Sequence, residues 1–217
     1  MISGDYENTR ISSVGEYAFY NYTSLSSVNL PNVEYIGNDA FRYCTNLANV
    51  NCPKAAKLAD YSFNNCSSLT DVSLPLATDI GPYAFSNCLS LTDVSLPNAE
   101  NLQKNCFYMC KSIISIYLQN AKEIGRYAFD ACLALRTAHL PTAKNIYSYA
   151  FSGCNTLTGV TLPIATKVEE RAFNQCKSLV SVDFPNVTEL GSTNFYNCTA
   201  LKRANVPQLS AVNRYVF

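Results

Sequence analysis

The stretch "AFSNCLSLTDVSLP", from Ala84 to Pro97, is nearly repeated in the preceding part of the chain. "SFNNCSSLTDVSLP" runs from Ser62 to Pro75, so the two copies are 22 residues apart. The same interval separates ten phenylalanines: Phe19, Phe41, Phe63, Phe85, Phe107, Phe129, Phe151, Phe173, Phe195 and Phe217. A fixed period of this length predicts a solenoid, in which each repeat forms one coil and neighbouring coils bury a continuous core.

Each repeat, numbered from its alanine, follows the pattern A-F-x-x-C-x-x-L-x-x-V-x-L-P-x-A-x-x-I-G-x-Y. The apolar residues at positions 11 and 13 predict a short strand with one face inward, and proline at position 14 ends it because proline donates no ladder hydrogen bond. The residues at positions 16 and 19 are predicted to return to the core. Glycine at position 20 suits a turn with positive φ. The "YAF" step that follows is predicted to form a short helical turn.

The repeats therefore predict one leucine-rich-repeat solenoid of the α/β type, with a parallel β-sheet on one face and short helical turns and loops on the other. Residues 1–10 form an N-terminal lead-in and residues 11–217 the solenoid. The solenoid comprises a partial coil at 11–17, nine full repeats from 18 to 215 and the start of a tenth at 216–217.

The composition restricts the possible partners. Sixteen acidic and sixteen basic residues give a formal net charge of zero, which argues against nucleic acid or an acidic membrane surface as the main partner. No apolar run is long enough for a membrane-spanning helix, and the N-terminus lacks the basic start and apolar core of a secretion signal. Because Phe217 stops two residues into a repeat, we expect a fragment of a longer secreted chain.

The ten cysteines allow three interpretations: buried core thiols, disulfides or a metal site. Eight occupy position 5, whereas Cys52 and Cys106 stand where other repeats have leucine and alanine. Neighbours in a column project side by side, so they neither converge on each other nor supply the four converging ligands that zinc needs. Burial as small apolar groups is the favoured interpretation, with an occasional disulfide left open.

The motif "LxxVxLPxAxxIGxYAFxxC" resembles the leucine-rich repeats of the BspA type, also called the Treponema pallidum type. The resemblance covers residues 11–217 and rests on the unusual Ala-Phe-x-x-Cys corner. It implies a non-enzymatic surface protein of bacteria or protozoa that adheres to host matrix proteins, host cells or other microbes. We expect no catalytic residue, cofactor or metal: His139 is the only histidine, and no phosphate loop or nucleophile elbow is present.

Positions 10 and 12 flank the inward valine, so a partner-binding site is expected among them. Tyr117 and His139 are neighbouring rings, and Gly159 leaves space beside them. Stacked Asp71 and Asp93 repel each other, which a basic partner group would relieve. The predicted footprint comprises Asp71, Asp93, Tyr117, Thr137, His139, Thr161 and Asp183. The alternative is a solvated face that binds no partner. In that case Tyr117 reflects only the divergence of its own repeat from the consensus.

The leading functional hypothesis is a protein-binding domain of a cell-surface or secreted adhesin. The alternative is an intracellular or secreted scaffold for a partner protein of the same cell. Glycan binding on the sheet face is less favoured, because more aromatic rings would be expected there. Uncapped coils would also permit end-to-end self-association, since open strand edges invite pairing.

Overall fold

The computed structural model describes residues 4–212 and 214–217, which wind as a parallel β-solenoid with two short strands in most coils. The odd-numbered strands form the broad sheet: β1 Gly4–Glu7, β3 Leu25–Asn29, β5 Asn49–Asn51, β7 Asp71–Ser73, β9 Asp93–Ser95, β11 Ser115–Tyr117, β13 Thr137–His139, β15 Gly159–Thr161, β17 Ser181–Asp183 and β19 Arg203–Asn205. The even-numbered strands form a second sheet: β2 Ser13–Val14, β4 Tyr35–Ile36, β6 Lys57–Leu58, β8 Asp79–Ile80, β10 Asn101–Leu102, β12 Glu123–Ile124, β14 Asn145–Ile146, β16 Lys167–Val168 and β18 Glu189–Leu190.

Both sheets are parallel, and their register follows the 22-residue period. The broad sheet divides into four hydrogen-bonded segments, β1-β3-β5, β7-β9, β11-β13-β15 and β17-β19. The second sheet runs without interruption through nine strands from β2 to β18. Its two-residue strands at positions 18 and 19 were not predicted from the sequence, although the inward isoleucine or leucine at position 19 was, and the structure buries it.

The phenylalanine column is confirmed as a single internal spine. Successive rings from Phe19 to Phe217 lie 5.0–6.0 Å apart and within 14° of parallel. The seven rings from Phe41 to Phe173 have no exposed surface. Tyr6 of the lead-in packs edge-on against Phe19 at 4.9 Å, beside the strand β1 that extends the broad sheet.

All ten cysteines lie in the described part of the chain, and each is buried as a free thiol. Each position-5 cysteine donates a hydrogen bond to the carbonyl oxygen of the phenylalanine 25 residues earlier, as from Cys66 Sγ to Phe41 at 3.1 Å. Burial raises the pKa of the Cys44 thiol to about 11 and that of Cys52 to about 12. Cys198 is an exception, because a hydrogen bond from Cys176 lowers its pKa. The prediction of buried core thiols is confirmed.

The expected helical turn at "YAF" is wrong, and the described residues contain no helix. At this corner, alternate backbone N–H groups donate to the next coil instead of their own. Phe19 N donates to the carbonyl oxygen of Ala40 in the next coil at 2.7 Å, whereas Tyr20 N donates to the carbonyl oxygen of Tyr17 in its own coil at 3.1 Å. The described residues at positions 22 and 4 also have φ values of 51–69°. A right-handed helix tolerates neither feature.

The role predicted for glycine at position 20 is also wrong. Gly37, Gly81, Gly125 and Gly191 do not have positive φ. A Cβ on Gly125 would instead lie 2.5 Å from the backbone oxygen of Leu102 in the previous coil. Glycine is needed here because two backbones approach closely.

Candidate partner-binding face

The broad face is the outward side of the broad sheet, formed by positions 10 and 12. Strands β7, β11 and β17 each show an exposed, buried, exposed pattern, so the middle residue enters the core and its neighbours face solvent. Across the face these outward residues are mostly serine, threonine, asparagine and aspartate. A surface of short polar side chains offers few groups that could anchor a partner.

Tyr117 and His139 form the aromatic feature of this face. They are paired residues of the adjacent strands β11 and β13. Their ring centroids are 4.6 Å apart and the planes differ by 7°, so the rings are stacked. Tyr117 is 58% exposed. The stack presents a flat amphipathic surface fixed by two strands.

A shallow depression of about 330 Å³ adjoins the stack. Gly159 forms part of its floor, and a Cβ there would have no heavy atom within 4 Å. His139 lies on one side and Asp183 on the other, with hydroxyl side chains around them: Thr137, Thr158, Thr161 and Ser181. Asp183 also accepts a hydrogen bond from Asn205 Nδ2 at 2.7 Å. The structure therefore brings together five of the seven residues of the predicted footprint.

Asp71 and Asp93 do not belong to this group. They pair in register in the separate segment β7-β9, as the like-charge argument assumed. Each carboxylate accepts a hydrogen bond from the threonine before it, Thr70 at 3.1 Å and Thr92 at 2.8 Å. The two aspartates extend along the broad face, but they do not line the depression.

Sequence reasoning missed two exposed apolar side chains at position 9. Ile114 is 53% exposed and Val180 is 45% exposed, whereas other coils have serine, alanine, threonine or a cation there. The two apolar residues in this polar column were the available signal. Val180 directly precedes Ser181, which lines the depression, and Ile114 lies in the coil of Tyr117, so both add apolar surface to the broad face.

A second missed feature follows the corner where the "YAF" step turns the chain. Tyrosine recurs at position 22, and cations from position 3, 21 or 22 pack over these rings. We call this row the corner ladder, with eight residues: Arg42, Tyr61, Tyr83, Lys104, Arg126, Tyr127, Tyr149 and Arg171. The consensus tyrosine was the signal for it, but a helical interpretation of the corner hid the column.

Within residues 4–212 and 214–217, no three histidine, cysteine, aspartate or glutamate side chains are grouped as metal ligands. The same residues include no helix that could span a bilayer.

The comparison with protein families agrees with this architecture. The BspA type leucine-rich repeat region matches residues 7–114 and 100–217, with six copies. The chain belongs to the BspA-type leucine-rich repeat family. Members of this family are repeat proteins, which fits a domain that presents a surface.

Solved structures show the same fold. The leucine-rich repeat protein of T. pallidum is 28% identical, with a TM-score of 0.60 over 81% of this chain and 77% of that one. A leucine-rich repeat protein from Eubacterium ventriosum is 25% identical, with a TM-score of 0.55 over 94% of this chain and 60% of that one. A search of curated proteins found no match.

Proposed function

We propose that this chain is the non-catalytic, protein-binding domain of a cell-surface or secreted adhesin. Its broad face would bind host matrix proteins, host cell proteins or microbial surface proteins. The observation that carries the proposal is the exposed Tyr117–His139 stack beside the depression over Gly159. The membership in a repeat family supports a binding role, and the resemblance to BspA-type surface proteins motivates the adhesive one.

The stack has the properties of a binding anchor. Aromatic side chains dominate the binding energy of many interfaces, because they bury a large area at a low entropic cost. Tyr117 and His139 already pack against each other, so binding would immobilise little additional side-chain freedom. Both residues are held by strands rather than by a loop, which fixes their position relative to the depression.

The depression indicates which partner group would fit. Its space beside Gly159 admits one side chain from a partner. Asp183 supplies a carboxylate at its edge, and the ring of His139 lines the other side. A partner lysine or arginine would donate a charge-assisted hydrogen bond to the Asp183 carboxylate while its aliphatic stem packs against His139.

The test measures binding to immobilised fibronectin, fibrinogen and mucin by surface plasmon resonance. For the proteins that bind, Tyr117→Ala combined with His139→Ala should weaken the affinity by roughly 30-fold, as for a hot-spot pair worth about 2 kcal/mol. Tyr35→Ala is the matched control, because Tyr35 is 40% exposed but lies on the second sheet. Unchanged affinity of the double variant, with the control also unchanged, would show that the binding site is elsewhere.

Two further variants map the extent of the site. Gly159→Leu fills the depression without removing either ring of the stack and should also weaken binding. Asp71→Asn combined with Asp93→Asn should weaken it less, because these residues lie outside the depression. Labelling of intact source cells with an antibody to the chain tests the surface location. Absence of labelling without permeabilisation would favour a scaffold inside the cell.

A further inference from the structure

The corner ladder contains two similar stacks of alternating charge and ring. In the first, the guanidinium of Arg42 lies 4.6 Å from the ring centroid of Tyr61. Tyr61 and Tyr83 stack at 4.6 Å with planes 5° apart, and the Lys104 ammonium lies 5.8 Å from the Tyr83 centroid. A pair of tyrosine rings is thus flanked by a cation at each end.

The second stack repeats this order further along the solenoid. The Arg126 guanidinium lies 5.1 Å from the centroid of Tyr127, and Tyr127 stacks on Tyr149 at 4.7 Å. Arg171 closes the stack 5.5 Å from the Tyr149 centroid and donates to the Tyr149 hydroxyl. Contacts with aromatic faces hold these cations in place while their N–H groups remain able to donate.

The two stacks meet at Lys104 and Arg126, which occupy position 21 of successive coils. Both line one depression of about 400 Å³, together with Gln103, Tyr147 and the carboxylate-bearing Glu123. Among the described residues, neither cation has a carboxylate within 4 Å. Like charges on adjacent coils repel each other, so an anion bound between them would be stabilising.

The carboxylates of the same coils already have partners. Glu123 accepts a hydrogen bond from Asn145 Nδ2 at 2.8 Å and bonds to the Tyr147 hydroxyl, which raises the pKa of Tyr147 to about 12. Glu100 is paired with Lys122 at 2.6 Å. The positive charge of Lys104 and Arg126 is therefore available to a ligand.

The backbone of this corner restricts the class of ligand. Its N–H groups are used between coils, as in the bonds from Tyr83 N to Lys104 O at 3.0 Å and from Asn105 N to Arg126 O at 2.9 Å. An added peptide strand would find few unpaired donors. The faces of the stacked tyrosines are covered as well, so a neutral sugar cannot stack on them. Recognition must come from the cationic side chains.

We propose that the corner ladder binds a sulfated polysaccharide that lies along the solenoid axis. Its central sulfate would sit between Lys104 and Arg126, and flanking sulfates would contact Arg42 and Arg171. These four cations span about six coil intervals, about 29 Å at 4.8 Å per parallel strand, which suits a linear polyanion rather than a single small anion. The Arg42 contact would be the weaker one, because Arg42 also pairs with Asp39 at 2.8 Å.

The experiment titrates the intact chain with heparin in low-salt buffer by isothermal titration calorimetry. Lys104→Gln combined with Arg126→Gln should weaken binding about tenfold and reduce its dependence on salt, because two charged contacts are lost. Lys54→Gln combined with Lys57→Gln is the matched control: it removes the same charge from exposed lysines elsewhere, and its affinity should stay within about twofold of the wild type.

Three outcomes would overturn this proposal. One is no heparin binding by the wild-type chain, and another is an equal loss of affinity in the control variant, which would indicate non-specific charge attraction. The third is equally tight binding of polyglutamate with the same dependence on Lys104 and Arg126, which would indicate an acidic protein partner. Desulfated heparin should bind at least about tenfold more weakly than heparin if sulfates are what the cations recognise.

Discussion

The replacement of Phe107 by alanine tests whether the ring column holds the solenoid together. Phe107 is fully buried, and its ring stacks on Phe85 at 5.2 Å and on Phe129 at 5.3 Å. Burial of such a side chain is worth about 3–5 kcal/mol, and two ring contacts place this site near the upper end. We expect Phe107→Ala to lower the free energy of unfolding by about 5 kcal/mol.

The assay is urea unfolding followed by circular dichroism, with Phe19→Ala as the matched control. Phe19 is only partly buried and stacks on one phenylalanine, so its loss should cost about 2 kcal/mol. A defect in the middle should also uncouple the two halves and lower the slope of the transition, because each coil contacts only its neighbours. Equal costs for the two variants, or a cost below about 2 kcal/mol for Phe107→Ala, would refute the reasoning.

Two further predictions address the close backbone approach and the thiols. Gly125→Ala should destabilise the chain by about 1–3 kcal/mol, because its Cβ would meet the backbone of Leu102 at 2.5 Å, whereas Gly159→Ala, with open space, should leave stability equal or slightly higher in the same urea assay. With a maleimide reagent at pH 8, the folded protein should be labelled first at Cys198, the thiol whose pKa is lowered. Cys66 and Cys88, whose pKa values are raised by burial, should react only when the protein unfolds. Rapid labelling of Cys66 and Cys88 in the folded protein would contradict the buried column.

The columns of the core could be predicted from the sequence because the period of 22 holds without an insertion. Once Phe85 and Phe107 occupy equivalent positions, stacking follows from the spacing of parallel strands. The inward valine of β7 and the outward aspartate beside it follow from the alternation of side chains along a strand. These inferences need only the period and the geometry of a strand.

The corner could not be predicted in the same way. Apolar periodicity says which side chains enter the core, but it does not say where each backbone N–H is directed. In the structure, Tyr20 N closes a turn while Phe19 N bonds to the next coil, and this alternation excludes a helix. The role of Gly125 also depends on the distance between two backbones, which residue identity alone does not reveal.

The candidate site on the broad face was predicted in part for a similar reason. Tyr117 and His139 share position 12 of adjacent coils, so their stacking follows from the period. Asp71 and Asp93 share position 10, so their pairing also follows from the period. Their distance from the depression could not be predicted, because the depression exists only where glycine at residue 159 leaves space. A column specifies a neighbour one coil away, but it does not specify the boundary of a pocket.

The backbone at position 22 supports a functional role for the corner ladder. Tyrosine occupies this position in six of ten described coils, although its φ there is 55–61°, a region that glycine or asparagine adopts at lower cost. Exposure argues against a core role, since the four tyrosines of the ladder are only half-buried. Coil-to-coil hydrogen bonds form at this position with any residue, as Asn105 shows. What tyrosine adds is a ring that orders an adjacent cation, and that contribution matters most if the cation binds a ligand.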